Sequence, residues 1–277
     1  MKIDLSKQHV VSVKWLNEHL QAENIIIFDA SIPKVTAYKL IEAEKQIPTA
    51  QFFDIKKAFS DISGEFPNTI PSESQFETEA RKLGVNNDSA IVIYDDKGIY
   101  SSARVWWLFK IFGYNNVAIL NGGLPEWQKQ GFQLEVKQNR NKVLGDFEAK
   151  FKPEYIAYFE GIKTLSSDFS VAIVDARASN RFNCEVPEPR AGLRSGTIPN
   201  SKNIPFTYCL HNGKLKPKNE LQNILSTKIK DVNTPLIFTC GSGITACVLD
   251  LAAAISGYKN TRVYDGSWTE YGSLIIE

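Results

Sequence analysis

The feature that most restricts the fold of this 277-residue chain is an internal repeat. Residues 25–31 and 171–177 are both apolar runs that reach a polar turn through Asp-Ala. Residues 90–95 and 235–240 form a second pair of apolar runs, each followed by a loop that contains glycine and then by a helical pattern. Because the motifs recur in the same order, two copies of one α/β domain are the simplest explanation.

The alternation of apolar runs with helical stretches predicts one parallel sheet in each copy, flanked by helices on both faces. We place the first domain at residues 1–140 and the second at residues 150–277, joined by the polar segment between Leu134 and Lys152. Ligands of open parallel sheets bind beyond the carboxyl ends of the strands. The two glycine-containing loops are therefore the candidate sites, and only the second carries a nucleophile, so the first copy is predicted to be non-catalytic.

Composition and charge exclude several functional classes. Lys and Arg number 32 against 31 Asp and Glu, a net charge of +1 that predicts no nucleic-acid partner. No apolar run approaches the roughly 18 residues of a membrane helix, and the start of the chain lacks a secretory pattern. We therefore expect no membrane association and a cytoplasmic protein, whose four cysteines are thiols without the spacing of a metal site.

Cys240 is the candidate nucleophile. It follows the apolar run 236–238 and precedes a helical pattern, with two glycines between them that allow backbone N–H groups to converge on a thiolate. The N-terminus of the helix adds partial positive charge. A cysteine phosphatase would need Arg at position 246, where this chain has Ala246, and the same residue argues against a dinucleotide fingerprint. We predict no cofactor and no metal.

The loop resembles the active-site loop of the mercaptopyruvate sulfurtransferases of the rhodanese superfamily. Its residues are Cys240, Gly241, Ser242, Gly243, Ile244, Thr245 and Ala246, and it lacks the basic residues typical of thiosulfate-specific relatives. The resemblance extends over nearly the whole chain, through residues 11–16, 100–107, 186–190 and 264–268. It implies two tandem rhodanese-like domains.

The resemblance also implies a reaction. Cys240 would take sulfur from 3-mercaptopyruvate, release pyruvate and carry a persulfide, which a thiol acceptor such as thioredoxin or a low-molecular-weight thiol, or cyanide, would then remove. Ser242 matches the serine of a Cys-Ser-Asp relay, in which its hydroxyl would donate to the developing enolate or pass a proton. Asp61 is the candidate acid of that relay, and Asp54 is its rival because the spacing departs by about one residue.

Two arginines match those that bind the carboxylate of the sulfur donor, Arg181 and Arg190. The loop residues Gly241, Gly243, Ile244 and Thr245 complete the predicted substrate site. Between the arginines this chain has Asn183 and Cys184, where the family pattern would have Arg and Gly. The second change raises the question of whether the loop keeps its backbone conformation. Arg177 follows Asp175 at the end of a strand, which favours a structural ion pair.

Two other functions stay open on the sequence. The first is a thiosulfate:cyanide sulfurtransferase, which the turnover of the two donors would distinguish. The second is a persulfide carrier or regulatory module that delivers sulfur to a protein partner without turnover. The presence of Cys240 argues against a purely structural role.

Overall fold

A computed structural model of the chain describes residues 2–34, 45–138, 143–166, 170–229 and 231–275. The chain divides into two compact units. Unit 1 comprises residues 1–61, 70–152 and 212–214, and unit 2 comprises residues 62–69, 153–211 and 215–277. Within the predicted linker, residues 139–142 lie outside the described part of the chain, and the domain limits 1–140 and 150–277 stay a prediction.

The sheet of unit 1 has the strand order β1-β6-β5-β2-β4, with every neighbouring pair parallel. Its centre is β5, in which all five residues are buried, as expected for a strand covered on both faces. A short antiparallel pair joins β3 and β7. The bounds are β1 Val10–Val11, β2 Ile25–Asp29, β3 Lys45–Gln46, β4 Gln51–Phe52, β5 Ala90–Tyr94, β6 Val117–Leu120 and β7 Glu135–Val136.

Helices cover both faces of this sheet. On one face α1 and α4 pack over Ile27 and Val92. On the other face Phe28 stacks on Phe109 of α3 with ring centroids 6.1 Å apart. Serine caps begin two of the helices, because the Oγ atoms of Ser12 and Ser72 accept the backbone N–H three residues ahead. The bounds are α1 Val13–His19, α2 Glu73–Lys82, α3 Ser102–Ile111 and α4 Gly123–Lys129.

The sheet of unit 2 has the order β10-β9-β13-β14-β8, again with every pair parallel. Read from the other edge, this order places equivalent strands of the two copies in equivalent positions. The predicted α/β fold with one parallel sheet in each copy is confirmed. The bounds are β8 Ile156–Ala157, β9 Ala172–Asp175, β10 Lys202–Asn203, β11 Leu210–His211, β12 Lys214–Leu215, β13 Leu236–Thr239 and β14 Thr261–Tyr264.

The helices of unit 2 again divide between two faces. Residues of α5 and α9 pack with Ile173 and Ile237 in one apolar cluster, while α8 packs on β13 and β14 and against α7. No helix within the described ranges is long and apolar enough to cross a bilayer. The bounds are α5 Phe159–Leu165, α6 Ser179–Phe182, α7 Lys218–Ser226, α8 Ala246–Ser256 and α9 Ser267–Leu274, with 3₁₀ turns at Pro153–Tyr155 and Phe206–Cys209.

Candidate active site

Cys240 stands at the carboxyl end of β13, the central strand of unit 2. It begins a loop of residues 240–245, here called the cysteine loop, and α8 begins at Ala246. The side chain is a free thiol, and only 2% of the residue is exposed. This is the strand–loop–helix context that the sequence predicts for a stabilised thiolate.

The cysteine loop offers unused hydrogen-bond donors. The backbone N–H groups of Gly241, Ser242, Ile244 and Thr245 donate to no acceptor among the described residues. Because they belong to one tight loop in front of a helix N-terminus, they form a concave set of dipoles that favours negative charge. The side chain that begins this loop is the thiol of Cys240.

The two glycines of the loop serve different purposes. Gly243 has φ +74°, a left-handed backbone that glycine adopts without strain. At Gly241 the reason is space, since a Cβ atom there would lie 2.9 Å from Nη2 of Arg181. The absence of a side chain therefore lets the guanidinium lie directly against the loop.

The N-terminus of α9 holds the cysteine loop in place. The N–H groups of Trp268 and Thr269 donate to the carbonyl oxygens of Cys240 and Gly241, at 3.0 and 2.9 Å. The hydroxyl of Ser267 accepts the N–H groups of Cys240 and Gly243, at 3.2 and 3.1 Å, and donates to Tyr264 O at 2.8 Å. Ser267 Oγ lies 3.9 Å from Cys240 Sγ, so its side chain supports the loop directly behind the nucleophile.

Ser242, the predicted relay serine, has partners on both sides. Nη2 of Arg190 donates to its Oγ at 2.9 Å, and Nδ2 of Asn68 donates to the same oxygen at 3.0 Å. Nε of Arg190 also contacts Oγ1 of Thr269 at 3.3 Å. Arg190 is thereby fixed beside the cysteine loop, as its predicted role requires.

Arg181, on α6, lies against the loop at Gly241 and forms an ion pair with Glu188. Its buried Nε atom donates to no acceptor among the described residues, so the guanidinium keeps hydrogen-bonding capacity for an anionic ligand. Glu188 also binds Nη1 of Arg177 at 2.7 Å, and Arg177 binds Asp175 at 2.7 Å. The predicted structural ion pair of Arg177 is confirmed, and burial raises the pKa of Asp175.

The departure at Asn183 and Cys184 leaves the backbone intact. Cys184 has φ +61°, the left-handed conformation that glycine would adopt after a helix. Its N–H donates to Arg181 O at 3.2 Å, and the next N–H donates to Asn180 O at 2.8 Å, which closes the end of α6. The side chain is exposed. The loop between the two arginines therefore keeps its turn at the cost of strain in a non-glycine residue.

The remaining candidates are two aspartates of unit 1 and two buried cysteines of unit 2. Asp54 Oδ1 accepts the N–H groups of Lys56 and Lys57 at 3.0 and 3.1 Å, which is a turn-capping role. Asp61 is half-buried and is the last residue of unit 1 before the segment 62–69, and its part in a relay stays a prediction. Cys209 is fully buried, and burial raises its pKa to about 12. Cys247 is buried and donates to Gly243 O.

Sequence reasoning missed three residues of this site: Asn68, Glu188 and Ser267. Glu188 was visible only as part of the motif 186–190, without a role. Ser267 could have been found from the repeat, since it aligns with Gly123 and a glycine in one copy signals an unusual backbone in the other. Asn68 lies in an irregular stretch of the first copy, where no pattern marks it.

Comparison with known proteins gives a consistent result. The family model described as "Rhodanese-like domain" matches residues 12–130 and 160–274. The 3-mercaptopyruvate sulfurtransferase of Escherichia coli (strain K12) is 37% identical over 97% of this chain and 96% of its own length. A mitochondrial thiosulfate/3-mercaptopyruvate sulfurtransferase of Arabidopsis thaliana is 34% identical over 97% of this chain and 77% of its own. The crystal structure of the E. coli 3-mercaptopyruvate sulfotransferase SseA matches with a TM-score of 0.84 and 36% identity, covering 94% of this chain and 98% of that one.

Proposed function

The chain belongs to the rhodanese-like family, and from that premise we propose that it is an enzyme that transfers sulfur from 3-mercaptopyruvate to a thiol or to cyanide through a persulfide on Cys240. The observation that carries the proposal is the buried Cys240 in a loop without charged side chains, with Arg181 and Arg190 held beside it. An uncharged loop suits a donor whose charge lies away from its sulfur, as the carboxylate of mercaptopyruvate does.

In the first half-reaction the Cys240 thiolate attacks the sulfur of the donor. The bond between the donor carbon and sulfur breaks, its electron pair passes to the enolate of pyruvate, and the enolate takes up a proton. Sγ of Cys240 now carries the transferred sulfur as a persulfide. The unused N–H groups of the cysteine loop are positioned to stabilise its negative charge.

Arg181 and Arg190 are the proposed partners of the donor carboxylate. A guanidinium binds a carboxylate through two parallel N–H donors, and two of them from separate elements would fix the donor sulfur against Cys240. Loop residues Gly241, Gly243, Ile244 and Thr245 complete the proposed donor site. Ser242 contacts Arg190 and belongs to the same constellation.

In the second half-reaction an acceptor thiolate, or cyanide, attacks the outer sulfur and releases the Cys240 thiolate. Thioredoxin, a low-molecular-weight thiol and cyanide are all acceptors with suitable chemistry. A cytoplasmic site of action, Asp61 in the relay and a non-catalytic first copy belong to the same proposal.

The test is turnover of mercaptopyruvate by the purified protein with cyanide as acceptor, followed as pyruvate and thiocyanate, with Cys240→Ser as the control. We expect turnover that depends on Cys240 and a persulfide that mass spectrometry locates on that residue. Arg181→Lys and Arg190→Lys are each expected to raise KM by about tenfold, because a single ammonium cannot replace a bidentate contact. Turnover that survives in Cys240→Ser would exclude the mechanism.

Thiosulfate is the second candidate donor, and the Arabidopsis relative favours it because its name joins both substrates. The same assay distinguishes the two donors. Faster turnover of thiosulfate would keep the nucleophile and discard the argument from the uncharged loop. Turnover of neither donor would favour a persulfide carrier or regulatory module.

A further inference from the structure

The contacts of Ser242 define what its hydroxyl can do. Its residue is 8% exposed, and its side-chain oxygen has two partners among the described residues, Nδ2 of Asn68 at 3.0 Å and Nη2 of Arg190 at 2.9 Å. Both partners are hydrogen-bond donors. No carboxylate or imidazole of unit 2 in the described ranges contacts this oxygen.

The orientation of the Asn68 amide follows from a second contact. Nδ2 of Asn68 lies 3.1 Å from the backbone carbonyl oxygen of Ser242. A carbonyl oxygen can only accept, so the amide must present its NH₂ group to this place and its oxygen elsewhere. The two contacts of one NH₂ group, to the carbonyl and to the hydroxyl of the same residue, therefore agree with each other.

A serine hydroxyl has two acceptor lone pairs and one proton. Asn68 and Arg190 occupy both lone pairs, and a guanidinium never becomes an acceptor at physiological pH. The proton of Ser242 therefore has to be donated away from these two groups. In this arrangement the oxygen has no lone pair left with which to take up a proton from another group.

We propose that Asn68 is a positioning residue that, with Arg190, makes Ser242 a fixed hydrogen-bond donor to the reacting group, and not a group that passes a proton to an acid. The proposal rests on the proposed function. Of the two roles that the family resemblance implies for Ser242, it keeps donation to the enolate and replaces the relay, so Asp61 receives no proton from Ser242. The charge that Ser242 stabilises is that of the enolate oxygen formed when the carbon–sulfur bond of the donor breaks. No proton leaves Ser242 in this step, and the carbon atom of the enolate takes its proton from solvent water.

The residue type at position 68 fits this role. Asn68 has φ +64°, and asparagine is among the few non-glycine residues that adopt a left-handed backbone at low cost. It is 4% exposed. The strained, buried backbone delivers the amide to Ser242 from 174 positions away in the sequence.

The decisive variant is Asn68→Asp, which keeps the shape and the backbone preference but replaces the donor with an acceptor. The carboxylate would draw the Ser242 proton toward itself and away from the donor molecule. At pH 8 we expect kcat with mercaptopyruvate to fall by about tenfold. As the new carboxyl is protonated it can donate again, so the ratio of variant to wild-type kcat should rise as pH falls toward 5.

The groups that set the titration of the carboxyl introduced at position 68 are Arg190, which contacts the same hydroxyl, and the pair of Arg181 with Glu188 beside Gly241.

Asn68→Gly removes the amide and keeps the left-handed backbone, and we expect a smaller loss of kcat that does not depend on pH. Asn200→Asp is the matched control. Asn200 also has a left-handed backbone, φ +58°, and its Nδ2 donates to Ser166 O, but it does not contact the cysteine loop.

Wild-type kcat in Asn68→Asp at pH 8 would overturn the proposal, because an acceptor at this position would then serve Ser242 as well as a donor. Failure of the proposed function looks different, since the wild-type protein would itself not turn over mercaptopyruvate. In that case the rate of alkylation of Cys240 by iodoacetamide, which needs no sulfur donor, tests Asn68. Asn68→Asp is expected to slow it severalfold at neutral pH and Asn200→Asp to leave it unchanged, and equal rates in both variants would reject the inference.

Discussion

The loops that follow β5 and β13 occupy the same place in the two copies, but one begins with an aspartate and the other with a cysteine. Residues 95–101, here called the aspartate loop, begin with Asp95, which is fully buried. Its Oδ2 accepts the N–H groups of Tyr100 and Ser102 at 2.7 and 2.9 Å, and the Ser102 hydroxyl at 2.7 Å. In the first copy, backbone donors of the loop and of the helix start are thus occupied by the aspartate that begins the loop.

A second difference lies where α4 meets the aspartate loop and α9 meets the cysteine loop. The N–H groups of Leu124 and Trp268 donate to the carbonyl oxygens of Asp95 and Cys240, both at 3.0 Å. The residues just before them, Gly123 and Ser267, both have φ +53°. A Cβ atom on Gly123 would lie 2.4 Å from Asp95 O, whereas Ser267 has room for a hydroxyl that binds the loop. The same backbone position thus holds a close packing contact in the first copy and a hydroxyl that binds the loop in the second.

The largest effect should come from replacing the side chains that begin the two loops, Cys240 and Asp95. Cys240→Ser is expected to lower kcat/KM for mercaptopyruvate by on the order of 10³-fold or more, because the covalent route is lost. Asp95→Cys in the Cys240→Ser background should not restore turnover, since residues 30–46, which correspond to the segment that carries Arg181 and Arg190, contain no arginine. Thiocyanate production measures both, with Cys209→Ser as a control that keeps wild-type activity. Restored turnover would show that the two loops are interchangeable.

The next effect is on stability and falls on the first copy. Asp95→Asn would replace a buried acceptor of several hydrogen bonds and lower the free energy of unfolding by about 2–3 kcal/mol. Cys240→Ser should change it by less than about 1 kcal/mol. Urea unfolding followed by tryptophan fluorescence compares the two variants, and equal losses would contradict the assignment of packing to one loop and chemistry to the other.

A smaller effect should follow from making the second copy resemble the first at the helix start. Ser267→Gly keeps the left-handed backbone and removes the hydroxyl that accepts the N–H groups of Cys240 and Gly243. We expect kcat to fall by about tenfold while the protein stays folded. Gly123→Ser, the reverse exchange, should destabilise the protein through contact with Asp95 O and leave kcat unchanged in the folded fraction. Circular dichroism and initial rates separate the two outcomes.

The smallest effect concerns Glu126 and Glu270, which occupy equivalent positions in the two copies and have pKa values shifted in opposite directions. Hydrogen bonding from Gln130, together with Lys214, lowers the pKa of Glu126, whereas burial raises the pKa of Glu270. Ionised Glu126 therefore stabilises the folded protein above the pKa that this group has in the unfolded chain. This stabilisation is lost as pH falls through the lowered pKa of the folded state. Ionisation of Glu270 removes stability as pH rises through the raised value.

At pH 7 we accordingly expect Glu126→Gln to lower the free energy of unfolding by about 0.5 kcal/mol and Glu270→Gln to raise it by a similar or smaller amount. Both differences should shrink as the glutamates are protonated, that of Glu270 at a higher pH than that of Glu126. Thermal unfolding at pH 7 and at pH 4 checks the signs, and shifts of the same sign would contradict the comparison.

Much of the fold could be predicted because the same strand and helix patterns occur twice in the sequence. Buried parallel strands are continuous apolar runs, so residues 25–29 and 171–175 are recognisable without tertiary information. The cysteine loop is equally visible, since its glycines and nucleophile are adjacent in sequence. Asn68 was not predictable, because its role depends on a contact with Ser242 across 174 positions and on no local pattern.

The grouping of residues 62–69 with unit 2 has a consequence for the history of the duplication. A fragment that begins at Pro153 would carry Cys240 and both arginines but not Asn68. A boundary drawn between the two gene halves would therefore cut through unit 2 and separate residues 62–69 from the rest of it. With the proposed role of Asn68, substitutions within residues 62–69 would be constrained by the chemistry of the second copy and not by the packing of the first.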